Sequence, residues 1–257
     1  MTKPFFSIIT CVYNSEKFLG RNFSSVSKQT FRNYEHVIVY SFSKDKSKEI
    51  IREYEKKNKN VVVALAQPEG ISPAFNKGIV SSTGKYLFFL NSDDYFYDEN
   101  VLKDVNLFLR GSTALNWIYG KINVVEEDGK NVGEFPKWKA FQAQWGYLLK
   151  FVNFVPHQAV FMKKEVFDKF GPFDESLSSQ MDYEYWLRVA GKTKWNFFNR
   201  IISNYTIRKG AKSSSKKNSK ENLANMEAVQ KRYTNRMEFF LAGIIERLVE
   251  VYNKTTR

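Results

Sequence analysis

The chain of 257 residues is 43% hydrophobic and 26% charged, a balance that gives one large domain or a domain with an appendage and excludes disordered, collagen-like and disulfide-stapled classes. Forty lysines and arginines against 27 acids leave a net charge of +13, which favours anionic partners such as phosphates, nucleic acid or an acidic membrane face. The one cysteine, Cys11, cannot form an internal disulfide and fits a reducing, cytoplasmic setting. The longest uncharged stretch, Phe151–Met162, contains Asn153, Pro156 and His157 and is too short and polar to span a bilayer. No small-residue cleavage site follows the apolar residues near the start, so no signal peptide is expected.

In chain order, Phe5–Tyr13 is a β-rich apolar run stopped by Asn14-Ser15, and Ser15 is placed to cap a helix carrying Phe18, Leu19, Phe23 and Val26. Glu35–Tyr40 predicts a second strand, and Ser47 precedes a helical pattern of Ile50, Ile51 and Tyr54. Val61–Leu65 reads as a third strand, Pro73 suits the first turn of a helix through Ile79, and Tyr86–Leu90 reads as a fourth strand. Strands apolar on both faces, alternating with helices, predict a parallel sheet covered on both sides. Ligands bind such sheets beyond the carboxyl ends of the strands. Three polar clusters fall there: Asn14-Ser15, Ser41–Asp45 and Asn91–Asp94.

The second half is less regular. Trp117–Tyr119, Ile122–Val125 and Ala159–Met162 predict strands, with a turn at Asp128-Gly129. Trp138, Trp145 and Tyr147 form an aromatic-rich segment, and Lys164–Phe170 and Asp182–Val189 read as helices. Arg208–Lys220 carries six bases and no acid, so thirteen less six leaves +7 elsewhere; it reads as a mobile basic loop, and equally as a lid or anchor that meets phosphate. Glu221–Tyr252 predicts a long helix with a break at Gly243, and Leu241, Ile244, Ile245, Leu248, Val249 and Tyr252 form an apolar face expected to dock on the domain.

Asp93-Asp94 follows an apolar strand at the ligand edge. Paired carboxylates there suit Mg2+ or Mn2+, although Asn/Ser/Asp runs also make ordinary turns. An ordered series of motifs favours the first reading. Phe6–Asn14, Gln29-Thr30-Phe31, Tyr34-Glu35, Gly70–Gly78, Thr83–Tyr86, Phe89–Asp94, Pro156-His157-Gln158, Phe170–Asp174 and Met181–Arg188 together resemble the family 2 nucleotide-sugar glycosyltransferases. The resemblance covers most of the first 200 residues. It implies an α/β GT-A (Rossmann-like) fold over 1–207, a mainly parallel central sheet flanked by helices. A basic flexible loop over 208–220 and a helical C-terminal extension over 221–257 follow.

The resemblance implies an inverting transfer of a sugar from a UDP-sugar to a saccharide or lipid-linked saccharide in cell-surface polysaccharide synthesis. Asp93 and Asp94 resemble the family's metal-binding acids, with Asp93 also near the donor ribose, and Asp182 resembles its general base. Thr10, Tyr13, Asn14, Tyr40, Asp45, Asn76 and Lys77 fall on the expected donor side, and His157 and Trp186 near the acceptor or diphosphate. One departure stands out: Tyr40 occupies the position where the family carries the Asp that accepts the uracil N3–H. It leaves open a degenerate nucleotide-sugar-binding or scaffold protein on the same fold. A peripheral contact with an anionic inner membrane face fits the charge; no nucleic-acid motif is present, so nucleic acid is not an expected partner.

Overall fold

A computed structural model describes residues 3–137, 146–208 and 216–255. Side chains are described outside 216–220 and 246–255. Trp138 and Trp145 lie outside the described residues, as do residues 209–215 of the basic run.

The first half folds as its pattern dictates. Strands β1 (Phe6–Val12), β2 (Tyr34–Tyr40), β3 (Val61–Leu65) and β4 (Tyr86–Phe89) alternate with helices α1 (Glu16–Ser27), α2 (Ser47–Lys57) and α3 (Ile71–Ser81). β1 pairs in parallel with β2 and β4, and β2 in parallel with β3. Neighbouring side chains enter opposite cores: Ile9 and Phe89 pack with Phe75 of α3, whereas Ile8 and Phe88 pack on the other face. Gly78 lets α3 approach β1, because a Cβ there would stand 2.4 Å from Ile9 Cγ2.

Beyond β4 the sheet changes character. After β5 (Tyr95–Phe96) and α4 (Val101–Gly111), β6 (Trp117–Glu126) forms a hairpin with β7 (Asn131–Phe135). β8 (Val160–Lys163) runs antiparallel between β4 and β6, followed by α5 (Lys164–Phe170) and α6 (Met181–Val189). β9 (Trp195–Ile207) lies parallel to β6 and antiparallel to β5. The order is β3-β2-β1-β4-β8-β6-β9-β5, with β7 on β6. The two strands read at 117–119 and 122–125 are one, and β5, β7 and β9 are additions to the sequence reading.

The C-terminal segment is two helices, α7 (Lys216–Tyr233) and α8 (Arg236–Thr255). α7 begins inside the stretch read as a loop. The break falls at Thr234-Asn235 instead of Gly243, because Asn235 and Glu238 cap α8 reciprocally: the Glu238 N–H donates to Asn235 Oδ1 and the Asn235 N–H to Glu238 Oε2, both at 2.9 Å. Val229 of α7 is buried in the main core. On α8, Ala242 and Glu238 face inward, whereas Leu241 and Ile244, expected to dock, are 42% and 41% exposed beside Met237 and Phe240.

Candidate active site

The Asn91–Asp94 turn is fixed from three sides. The Asp94 N–H closes it on the Asn91 carbonyl at 3.0 Å. Asn22 of α1 donates its side-chain amide to the carbonyls of Asn91 and Asp94, each at 2.8 Å. The β5–β9 pairing then brings Thr206 alongside: its N–H donates to Asp94 Oδ1 at 2.9 Å and its hydroxyl to the Asp93 carbonyl at 2.7 Å. Asn91 Nδ2 donates to Asp94 Oδ2 at 3.1 Å. Asp94 is 1% exposed. Burial, with the Asp93 charge added, holds its pKa well above the ordinary carboxylate value, against the opposing bonds from Thr206 and Asn91 and the Arg208 charge. Arg208 Nε lies 2.7 Å from Asp93 Oδ2.

The second acid comes from another element. Pairing of β8 with β4 sets His157, in the short turn before β8, beside the end of β4. His157 Nε2 lies 3.2 Å from Asn91 Nδ2, and its Nδ1 lies 3.3 Å from Asp182 Oδ2 in the first turn of α6. Asp182 Oδ1 accepts the Tyr183 N–H at 2.8 Å. Glu184 turns away to Arg188 and Tyr233. The fold therefore gathers Asp93, Asp94, His157 and Asp182 at one edge of the sheet.

The other expected residues divide. Tyr13, at the end of β1, is half exposed, and Asn14 beside it takes positive φ while its side chain accepts the Lys44 N–H at 2.8 Å. Thr10 does not reach the cleft; it is fully buried, bonded to His36 Nε2 at 3.0 Å. Tyr40 is 5% exposed, packed with Val12, Leu19 and Ile51 under α1 and α2, so its ring cannot stack on a base. Asp45 spends its oxygens on the N–H groups of Glu16 at 2.9 Å and Ser47 at 3.0 Å. Ser15 does not cap α1; its hydroxyl lies 2.8 Å from that of Ser92.

Asn76 is buried and clamps the 171–175 loop through the Phe173 carbonyl, the Phe173 N–H and Glu175, so it is not free to meet a donor. Lys77 is exposed on the next position of α3. Trp186 is 2% exposed and stacks on Trp117 at 5.6 Å, which makes it core instead of an acceptor contact. Reading from sequence missed Asn22, Thr206 and Phe42, the last half exposed with positive φ beside Tyr40. Arg208, the first base of the basic run, carried a signal; Thr206 carried none.

The profile of Glycosyl transferase family 2 matches residues 7–171. The chain belongs to that family. Relatives similar to it are named glycosyltransferases, and it is a transferase of that type. It is 26% identical over 212 residues to an uncharacterized glycosyltransferase of Methanocaldococcus jannaschii, covering 80% of this chain and 72% of the relative. It is 25% identical over 205 residues to the PGL/p-HBAD biosynthesis glycosyltransferase of Mycobacterium bovis BCG, covering 79% and 72%. Among solved structures, S. aureus TarS 1-349 in complex with UDP-GlcNAc superposes with TM-score 0.71 at 21% identity, over 87% of this chain and 65% of that one. The mannosyltransferase PcManGT of Pyrobaculum calidifontis with GDP-Man and Mn2+ gives 0.70 at 13%, over 94% and 69%. The chain spans 38% of the longer TarS chain. These neighbours share the mixed, mainly parallel sheet with flanking helices, the GT-A architecture expected above.

Proposed function

We propose that this chain is an inverting glycosyltransferase that takes a UDP-sugar and glycosylates a saccharide or lipid-linked saccharide in cell-surface glycan assembly. The observation that carries the reading is the approach of Asp182 to the Asp93-Asp94 turn across one imidazole. Asp182, one oxygen of which lies 3.3 Å from His157 Nδ1, is the general base: it takes the proton of an acceptor hydroxyl. The acceptor's hydroxyl oxygen, so deprotonated, forms a bond to the anomeric carbon as the carbon–oxygen bond to the diphosphate breaks and the diphosphate leaves with the electron pair. Attack opposite the leaving group inverts the centre. Tyr13 and Asn14, with Phe42, form the nucleoside side.

The donor set suits a divalent cation. Asp93 and Asp94 offer hard carboxylate oxygens, and among the described residues no group of three His, Cys, Asp or Glu side chains could hold an ion unaided. That number fits Mg2+ or Mn2+, which keep waters and share substrate phosphates. When bound, such an ion neutralises the charge that develops on the leaving diphosphate. Asn91 and Thr206 keep the Asp94 carboxylate oriented, and Arg208 adds positive charge beside Asp93.

No helix among the described residues is long and apolar enough to cross a membrane. We place the protein in the cytoplasm, where the free thiol of Cys11 persists. There it meets lipid-linked acceptors at an anionic inner membrane face, a contact supported by the net charge of +13 and by exposed Met237 and Phe240 on α8.

A panel of nucleotide sugars with Mn2+ tests the reading. Metal-dependent thermal stabilisation and nucleotide release are expected with a UDP-sugar. Asp94→Asn should lose donor binding. Asp182→Asn should keep it and lose transfer by about a hundred- to ten-thousand-fold. No response to any donor with any metal would leave a scaffold on the same fold, the reading that the burial of Tyr40 favours.

A further inference from the structure

A line of polar contacts joins the two acidic sites, and its donor and acceptor roles are fixed by chemistry. Asp94 Oδ2 receives the Asn91 amide nitrogen at 3.1 Å, so that nitrogen, which only donates, is also the atom 3.2 Å from His157 Nε2. His157 Nε2 must then accept, which leaves the imidazole proton on Nδ1. Nδ1 is the nitrogen 3.3 Å from Asp182 Oδ2. The imidazole is steadied from the side by Phe75, edge to face with ring centroids 5.9 Å apart. The Asn91 carbonyl is held by Asn22 and by the Asp94 N–H, so the near end of the line cannot drift. The other oxygen of Asp182 is held by Tyr183 N–H, so His157 decides where Oδ2 points.

We propose that His157 is a positioning residue: through Asn91 it ties the orientation of Asp182 to the Asp93-Asp94 turn, so that the group accepting the acceptor proton is aligned from the site that holds the donor. The proposal rests on Asp182 being the base. It differs from the expectation that His157 touches the diphosphate or the acceptor. A ligand contact would show as lost donor affinity. A positioning role shows as lost turnover with donor affinity intact, and only while Asp182 can act as a base.

The experiment uses His157→Ala, Asp182→Asn and the double variant in the full chain. Binding is followed with UDP plus Mn2+ by calorimetry, and turnover by UDP release from the UDP-sugar that the panel selects. His157→Ala should keep UDP affinity within about threefold and lose about ten- to a hundredfold in kcat, less than the roughly hundred- to ten-thousand-fold expected for loss of the base itself. Added to Asp182→Asn, it should cost nothing further, because residues acting as one unit are not additive. Two conservative variants keep the test sharp if alanine disturbs folding. His157→Asn places a donor near the Nδ1 position and should retain more kcat than His157→Gln, which reaches only toward the Nε2 position. A tenfold loss of UDP affinity in His157→Ala, or additive losses in the double variant, would overturn the proposal while leaving the base assignment standing. If Asp182→Asn retains full turnover, the base assignment itself fails; full turnover of His157→Ala with Asp182→Asn inactive would overturn the positioning role alone.

Discussion

Asp45 and Asp94 stand at the same edge of the sheet, one after β2 and one after β4, and both accept backbone N–H groups. Their surroundings make them opposites. Asp45 is half buried among helix N-termini: it bonds the first N–H of α1 and of α2, while Glu16 of α1 accepts the Lys46 N–H at 2.8 Å and the Ser15 N–H bonds the Ser47 hydroxyl at 3.0 Å. Burial raises its pKa, but the bonds from the Ser47 hydroxyl and from the backbone N–H groups of Glu16, Ser47 and Asp45 itself outweigh that and pull it below the usual value. It is a staple between two positive helix ends. Asp94 is buried beside another acid, and its pKa is driven upward. One rim uses its carboxylate to close the fold; the other concentrates carboxylates that a bound cation would relieve. A carboxylate at the ligand edge is thus no sign of a ligand unless some of its neighbours repel it.

Breaking a structural clamp should cost stability and spare chemistry, and the largest such effect is expected at Asn76. Its truncation in Asn76→Ala strands the N–H and carbonyl of Phe173, which is 3% exposed. Buried groups left unpaired cost about 1–3 kcal/mol each, so a loss of about 2–4 kcal/mol in urea unfolding is expected. UDP affinity should stay unchanged at a temperature where the variant is folded. A selective loss of UDP affinity at unchanged stability would return Asn76 to the donor site.

His36 gives a smaller effect with a defined sign. It is fully buried between Thr10 and Tyr54, and burial pushes its pKa down from 6.5 to about 3. The folded protein therefore keeps it neutral. Below pH 6.5 the unfolded chain takes up a proton that the folded chain refuses, so this contribution is complete above 6.5 and is lost as the pH falls toward 3. At pH 5 the loss is about 2 kcal/mol. His36→Gln should lack it, so the difference between the two proteins should shrink between pH 7 and pH 5. A constant difference would mean that His36 titrates normally.

How far the sequence carried the fold depended on whether an element's partners lay near it in the chain. β1, β2 and β4 are short, mostly apolar runs buried on both faces, and each could be read alone. β9 could not: Asn196, Asn199, Arg200 and Asn204 interrupt its apolar pattern, and its partner β6 begins 78 positions upstream, with Trp117 opposite Trp195. Because β9 was hidden, so was Thr206, whose role follows wholly from the β5–β9 register. Motif order pointed to Asp93, Asp94, His157 and Asp182, which the fold brings to one edge of the sheet. It pointed equally to Tyr40, Thr10, Asn76 and Trp186, which are buried, because the same motif positions also serve packing, and only tertiary contacts decide which residues stay exposed. Glu35 and Thr83-Gly84, equally part of the resemblance, bond one another at the far end of the strands and never approach the site.

The smallest expected effect concerns Asp45 itself. Asp45→Ala removes acceptors from the first N–H groups of α1 and α2. A lost helix cap costs about 0.5–2 kcal/mol, and the partial exposure of these groups to water places the expectation near the lower half of that range. Two signatures separate a staple from a ligand. The stability difference between wild type and variant should narrow as the pH falls, because a carboxylate with a lowered pKa contributes fully above its unfolded value and loses that contribution as it is protonated in the folded state. UDP affinity with Mn2+ should move by less than about threefold, because the lost bonds hold backbone and leave the Asp93-Asp94 turn untouched. A tenfold drop in UDP affinity with stability unchanged would instead make both rims parts of one donor site, and the contrast between Asp45 and Asp94 would dissolve.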